Sequence, residues 1–345
     1  MKSLPIANAA VVLAAPANEN ALKAMPGVLR VEEDAIAHTQ AKPGTSGKPA
    51  PAPPAETLPW GVNKIDADLV WDVDHNLILD SGANAGAGVK VAVVDTGIDL
   101  THPDLAANIV GGYNAIDPTK SPTDDNGHGT HVSGIIAGID NTIGVLGVAP
   151  RASLLAVKVL NRQGSGYYSD IIEGIGWSVD NGAQVINMSL GGTYDSTALH
   201  SAIVSAVNAG VVVVAAAGNS GPGDNTVGYP AKYPEVIAVS ATTSSNTIAS
   251  YSSRGPEVDL AAPGSSIFST YKGGAYQTLS GTSMASPHVA GAVALVIASG
   301  VSGVDNVRTV LRQTADDLGA AGKDNLYGDG LVDAEQAVTG TQTNP

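Results

Sequence analysis

Five runs of apolar, largely β-branched residues stand out along the chain, at 89–94, 154–159, 185–187, 211–215 and 236–239. None alternates with polar positions, so each predicts a strand buried on both faces. Stretches at 128–138, 169–181, 196–209, 283–298 and 305–313 place apolar residues three and four apart and predict helices. Buried strands alternating with helices indicate an α/β fold, with a mostly parallel central sheet and helices on both faces. Ligands of such sheets bind beyond the carboxyl ends of the strands, so the loops that follow the strands are where chemistry is expected.

The first forty residues lack this rhythm. Residues 9–15 fit a short strand, 18–25 a helix capped by Asn18, and 28–37 a second strand after the turn Met25-Pro26-Gly27. One reading is a small α+β strand–helix–strand module. Another is a secretory signal, since MKSLPIANAAVVLAAPA joins a Lys to an apolar stretch and small residues, although Pro5 and Asn8 interrupt it. Residues 41–55 hold five Pro and two Gly and predict an extended linker to the remainder, 56–345. No uninterrupted apolar run reaches the roughly 18 residues of a membrane span.

Composition narrows the chemistry. At 345 residues the chain suits two domains, or one large domain with an appendage. It has no Cys, which excludes disulfides, thiolate metal sites and a Cys nucleophile. Its 32 acidic and 17 basic side chains give a formal charge of −15, which argues against a nucleic-acid partner. The 41 Gly predict many tight turns and close backbone approaches.

Four motifs fall at predicted strand ends or helix starts. The first strand runs into Asp95-Thr-Gly, where a buried carboxylate needs a partner. Asp80-Ser-Gly82 offers a second Asp-x-Gly, but only 15 residues away, too near for the paired lobes of an aspartic protease. DDNGHGTHVSG puts His128 at a helix start, between Gly127 and Gly129, which allow close approach. A zinc helix would need a His-Glu-x-x-His pattern, which is absent; His131 is read as structural. GTSMASPHVAG sets Ser283 at the N-terminus of an apolar helix, where N–H groups and dipole favour negative charge. An α/β-hydrolase would need its acid and then its His after the Ser, and here only His288 follows, ahead of every later Asp. A dinucleotide turn is excluded because Gly86-Ala-Gly88 precedes its strand. VVVVAAAGNSG carries Asn219 at a strand edge, where its amide can donate to an oxyanion. Singly, each residue has a plainer explanation as a cap or turn residue.

Together, VAVVDTGIDLTHPDL, NGHGTHVSGIIA, GVLGVAP, VINMSLGG, AAAGNSG, YPAKYPEVIAV and GTSMASPHVAG resemble the subtilisin-like serine proteases over nearly all of 56–338, in the order Asp, His, Ser. The resemblance implies a serine endopeptidase in which Ser283 is the nucleophile, His128 the general base and Asp95 its orienting carboxylate. Asn219, with the Ser283 N–H, would form the oxyanion hole. Ser189, Leu190 and Gly191 with Ala216, Ala217 and Gly218 would line the P1 pocket, and Gly164, Ser165 and Gly166 would form the opposite rail. Tyr168, Ile171 and Leu190 would shape an apolar P4 site. Ser220 brings no acid to the P1 pocket, so a broad, mainly apolar P1 preference is expected.

The resemblance also implies structural Ca²⁺. The carbonyls of Ile139, Ile143 and Val145 would join the side chains of Asn141, Asp104 and Glu56 in a tight oxygen-only site. The carbonyls of Ala231, Tyr233 and Val236, with Glu257 or Asp259, would form a weaker cation site. Asp72-Val-Asp74-His-Asn76 looks like the start of a calcium loop but lacks the turn Gly. Residues 1–40 resemble the second half of an inhibitory pro-domain, which favours strand–helix–strand over a signal. The pro-segment would act as intramolecular inhibitor and chaperone, with Thr39 and Gln40 in the cleft and self-cleavage near Gln40–Ala41. Polypeptide substrates, a secreted location and a monomeric state complete the expectation. A protease-like scaffold without turnover is the competing class, disfavoured by the complete set of catalytic residue types.

Overall fold

The computed structural model describes residues 2–41 and 53–344. Most of the expected linker lies outside the described residues. The N-terminal segment contributes β1 (Lys2–Leu4), β2 (Ala9–Val11), α1 (Glu19–Lys23) and β3 (Ile36–Thr39), with α2 (Trp60–Lys64) opening the main body. In the body follow β4 (Lys90–Asp95), β5 (Ile109–Asn114), α3 (His128–Ala137), β6 (Ser153–Lys158), β7 (Ser165–Tyr167), α4 (Tyr168–Asp180), β8 (Val185–Met188) and β9 (Leu190–Gly191). The remainder comprises α5 (Thr197–Asn208), β10 (Val212–Ala216), β11 (Ile237–Thr242), β12 (Leu260–Pro263), β13 (Ile267–Tyr271), β14 (Ala275–Leu279), α6 (Thr282–Ala298), α7 (Val304–Gln313) and α8 (Ala334–Thr339).

The central sheet has seven strands in the order β12-β11-β10-β8-β4-β6-β5, all parallel. The uninterrupted apolar runs are explained by burial on both faces. Val91 and Val93 point into a core shared with Val132 and Ile136 of α3 and Val289 and Val293 of α6. Ala92 and Val94 point the other way, into a core shared with Ile171 and Ile175 of α4 and Leu199 and Ile203 of α5. Helix α6 is buried from Thr282 to Val296, which is why it has no polar face.

The five expected strands and five expected helices are present, with no end displaced by more than three residues. The N-terminal segment departs further. The strand expected at 9–15 stops at Val11 and pairs with an unexpected β1. The one expected at 28–37 begins only at Ile36. Residues 28–35 have the strand pattern but no partner strand, and β3 is a strand because the body supplies two. It lies antiparallel between β7 and β9, pairing Ala37 with Gly166 and Thr39 with Leu190.

Strand order reverses at β4. The chain leaves β4 for β5 and β6 on one side, then returns to lay β8 on the other. This switch point opens a crevice above the carboxyl ends of β4 and β8. Asp95 ends β4, and Ser189 follows β8.

Candidate active site

Asp95 is fully buried at that crevice. Its Oδ1 accepts the Thr96 N–H at 2.7 Å and faces His128 Nδ1 at 2.7 Å. The His side chain is held there because α3 docks closely on the end of β4. A Cβ on Gly129 would lie 2.2 Å from the Gly97 carbonyl oxygen, so only Gly permits the approach. His128 is itself buried, and its Nε2 has no hydrogen-bond partner among the described residues. That leaves one ring nitrogen fixed and the other free.

Ser283 sits in the first turn of α6. Its hydroxyl donates to the Ser189 carbonyl at 2.9 Å, so the Ser–His hydrogen bond is not made in this rotamer. The Ser283 carbonyl lacks its helical donor because Pro287, four residues on, has no N–H. Ser189 Oγ supplies one at 2.8 Å, tying β8 to α6.

The backbone N–H of Ser283 and Nδ2 of Asn219 converge on one oxygen, the carbonyl of Gln40, at 3.0 Å and 2.6 Å. Asn219 is oriented by Thr282, whose backbone N–H donates to Asn219 Oδ1 at 3.0 Å, leaving the NH₂ aimed at Gln40. The sequence reading missed Thr282, and only the spacing GTS hinted at it. Gly281 must be Gly here, since a Cβ would lie 2.4 Å from the Gln40 oxygen.

Residues 36–40 are bound as an extended strand. Thr39 N–H donates to the Gly164 carbonyl at 2.9 Å, and Gln40 N–H to the Ser189 carbonyl at 3.1 Å. His38 Nδ1 lies 2.8 Å from Ser165 Oγ. Ala37 is fully buried in the core that holds Tyr168, Ile171 and Leu190. The Gln40 side chain enters a cavity of about 540 Å³ lined by Gly191, Ala216, Ala217, Gly218, Ser220 and Val227 among others, and donates to the Gly191 carbonyl at 3.2 Å. No acid lines this cavity among the described residues, while Lys232 does.

The segment holding the expected tight cation site is folded back on residues 54–57. Glu56 Oε1 accepts the Asn141 and Thr142 N–H groups at 2.7 and 3.0 Å. Asp104 accepts Asn141 Nδ2 at 3.0 Å and the Val145 N–H at 2.9 Å. Burial pushes the Asp104 carboxyl up to about 7, and the Glu56 charge adds to the rise. Among the described residues, the carbonyls of Ile139, Ile143 and Val145 accept no hydrogen bond. Two carboxylates without a basic partner beside three idle carbonyls form a donor set that fits a hard cation.

The other two expected cation sites differ. Asp259 is paired with Lys323 at 3.4 Å and Arg308 at 3.8 Å, and Glu257 with Lys232 at 3.5 Å, so their charges are matched within the chain. The Tyr233 carbonyl is occupied by the Val236 N–H at 3.0 Å. At 72–76, Leu77 takes φ 63°, the left-handed turn for which a Gly was expected, and Asp72 accepts the N–H groups of Asn76 and Leu77. Among the described residues, no three His, Cys, Asp or Glu side chains are grouped to hold a metal ion.

The other histidines of these motifs are structural. His131 is fully buried with Nε2 at 2.9 Å from the Gln277 carbonyl, and burial pulls it down to about 3. His288 faces the Met284 carbonyl at 2.7 Å and is pulled down to about 4 by burial.

A peptide strand whose carbonyl is gripped by two N–H donors beside a helix-borne serine suits nucleophilic attack on that carbonyl. Sequence comparison agrees with this class of enzyme. The subtilase family model matches residues 86–330. The chain is similar to subtilisin DY of Bacillus licheniformis, 50% identical over 286 residues covering 82% of this chain and 99% of that one. It is similar to subtilisin E of Bacillus subtilis (strain 168), 47% identical over 331 residues, 94% of this chain and 80% of that one. An alkaline protease of Alkalihalobacillus alcalophilus is 46% identical over 323 residues, 93% of this chain and 77% of that one. The chain therefore belongs to the subtilase family and is a serine endopeptidase.

Proposed function

We propose that this endopeptidase cleaves polypeptides through Asp95, His128 and Ser283, and that its own Gln40–Ala41 bond is the first bond it cuts. The observation that carries the reading is the Gln40 carbonyl, held by Asn219 Nδ2 and the Ser283 N–H. Ser283 Oγ attacks that carbonyl carbon, and His128 Nε2 takes its proton. Asp95, on Nδ1, fixes the tautomer and stabilises the imidazolium that forms. The oxyanion gains charge where both donors already point. The imidazolium then gives its proton to the leaving amine, which is the N-terminus at Ala41, and water hydrolyses the acyl-enzyme.

Until it leaves, the strand 36–40 occupies the substrate's place and inhibits. Its register makes Gln40 the P1 residue and Ala37 the P4 residue, so a small or apolar P4 side chain meets Tyr168, Ile171 and Leu190. The acid-free P1 cavity supports a broad P1 preference that is mainly apolar, since it offers no counter-charge to a basic side chain. Ca²⁺ would be held by Asp104, Glu56, Asn141 and the carbonyls of Ile139, Ile143 and Val145, where it would neutralise paired carboxylates and fix the loop. We assign the enzyme to the extracellular space, as a monomer, where a broad protease with a structural Ca²⁺ is at home.

A peptidyl serine-directed inhibitor tests the reading. A reagent with an apolar P1 group should label Ser283 rapidly, and one with a basic P1 group slowly. Inactivation with label elsewhere, or the reverse P1 order, contradicts it.

A further inference from the structure

The motif around His128 begins with two acids, Asp124 and Asp125, and the mechanism above uses neither. Asp124 is buried, and its carboxylate accepts the Asn126 and Gly127 N–H groups, both donors of Thr130, and the Thr96 hydroxyl at 2.9 Å. It thereby builds the turn from which α3 starts and ties it to the residue after Asp95. Asp125 works differently. Its carboxylate meets Lys158 Nζ at 2.6 Å.

Lys158 ends β6, directly beside Asp95 in the sheet register. Its side chain is only 7% exposed. Besides Asp125, the ammonium donates to the Thr96 carbonyl at 2.7 Å and the Leu160 carbonyl at 2.9 Å. All three of its N–H donors are therefore used. A lysine this buried is costly unless paired and fully hydrogen-bonded. Here each bond lands on a different segment: the turn that carries His128, the backbone after Asp95, and the loop after β6.

Resting on the triad reading, we propose that Lys158 is a positioning residue for catalysis: it locks the Asp95 strand end to the His128 turn and so sets the Asp95–His128 hydrogen bond. Asp124 makes the turn, and the Lys158–Asp125 pair fixes where that turn sits. None of the hydrogen bonds made by the cleft strand 36–40 goes to either side chain. Loss of the lock therefore lowers turnover and leaves substrate affinity nearly unchanged, because small misplacements of a catalytic base are costly.

The test compares Lys158→Met, Asp125→Asn and His128→Ala with wild type, each freed of residues 1–40 (His128→Ala by added wild-type enzyme, then separated from it) and normalised to the fraction labelled by a serine-directed inhibitor or, for His128→Ala, to protein. Lys158→Met should lower kcat about tenfold with KM within about twofold. The low-field proton resonance of the Asp95–His128 hydrogen bond should shift or broaden, which a general loss of stability would not produce. Asp125→Asn keeps the lysine and its two carbonyl bonds, and should lower kcat about threefold with the same spectral sign. A folded Lys158→Met enzyme with wild-type kcat and resonance overturns the proposal. Should that variant not fold, wild-type kcat and resonance in Asp125→Asn overturn it equally. Full turnover in His128→Ala would sink the triad reading instead, so the two failures are distinguishable.

Discussion

The catalytic body and the N-terminal segment are both built from strands and helices, yet they are held by different means. The body has a core on each face of its sheet and a helix, α6, buried along most of its length. In residues 2–39 only Leu4 and Ala37 are buried apolar side chains among those described, while Leu13 and Leu29 are almost fully exposed. Helix α1 buries nothing. The segment reaches the body's core through Leu4 and Ala37, with Ile6, Ala7, Ala9, Val11 and Ala35 packed half-buried against it, and polar contacts add to this attachment. Glu32 accepts from Ser196 Oγ and from the Thr197 and Ala198 N–H groups at the start of α5. Asp34 accepts the Ser169 N–H in the first turn of α4, and Lys2 pairs with Asp170 and Glu173. Two carboxylates at helix N-termini are a favourable use of the dipole and the free N–H groups. The body thus buries its own core, whereas β3 of the segment is a strand only because the body supplies β7 and β9 as partners.

Three measurements sharpen that contrast. The largest effect is expected from Asn219→Ala, which removes one donor that grips the segment and, on the proposed reading, any substrate alike. Turnover and self-cleavage should both fall about 10²–10³-fold, a magnitude known from this family rather than derived from the present geometry. Equal self-cleavage in the variant would separate the segment from the substrate path. Next, a chelator should destabilise the body whether or not the segment is attached. Ca²⁺ at about a hundred times its Kd contributes roughly 2.7 kcal/mol, or about 5–10 °C in melting temperature. An unchanged melting temperature would remove the cation from the account. The smallest effect is expected from Glu32→Ala, which should weaken binding of the cleaved segment about tenfold, near 1.4 kcal/mol, and leave the stability of the mature body untouched. Unaltered inhibition would mean that the cleft strand alone holds the segment.

The same contrast explains what could be read from the sequence. Five of the seven strands of the central sheet were legible because burial on both faces leaves an unbroken apolar run, whereas the equally buried β12 (LAAP), four residues long and ending in Pro, was not. Asp95, His128, Asn219 and Ser283, the residues we propose for catalysis, could be singled out because each stands where such a run ends or a helix begins. Strand β5 (IVGGYN) was missed because its two glycines and half-buried pattern break the apolar signal. The hairpin β13–β14 was missed because it folds on α3 through hydrogen bonds such as Thr270 Oγ1 to the Thr130 carbonyl. Strand β3 was misplaced because its partners lie more than a hundred residues away. Leu77 shows the reverse error: a left-handed turn was tied to Gly, and the loop's hydrogen bonds to Asp72 hold it with Leu. Thr282 and Lys158 act through contacts that no local pattern encodes.

The central claim is that Ser283 cuts the Gln40–Ala41 bond held in its own oxyanion site. N-terminal sequencing of wild type and Ser283→Ala, purified side by side, tests it most directly. The account predicts a wild-type protein that begins at Ala41 and an inactive Ser283→Ala protein that keeps residues 1–40. A Ser283→Ala protein that still begins at Ala41, or that hydrolyses peptides at the wild-type rate, would contradict it.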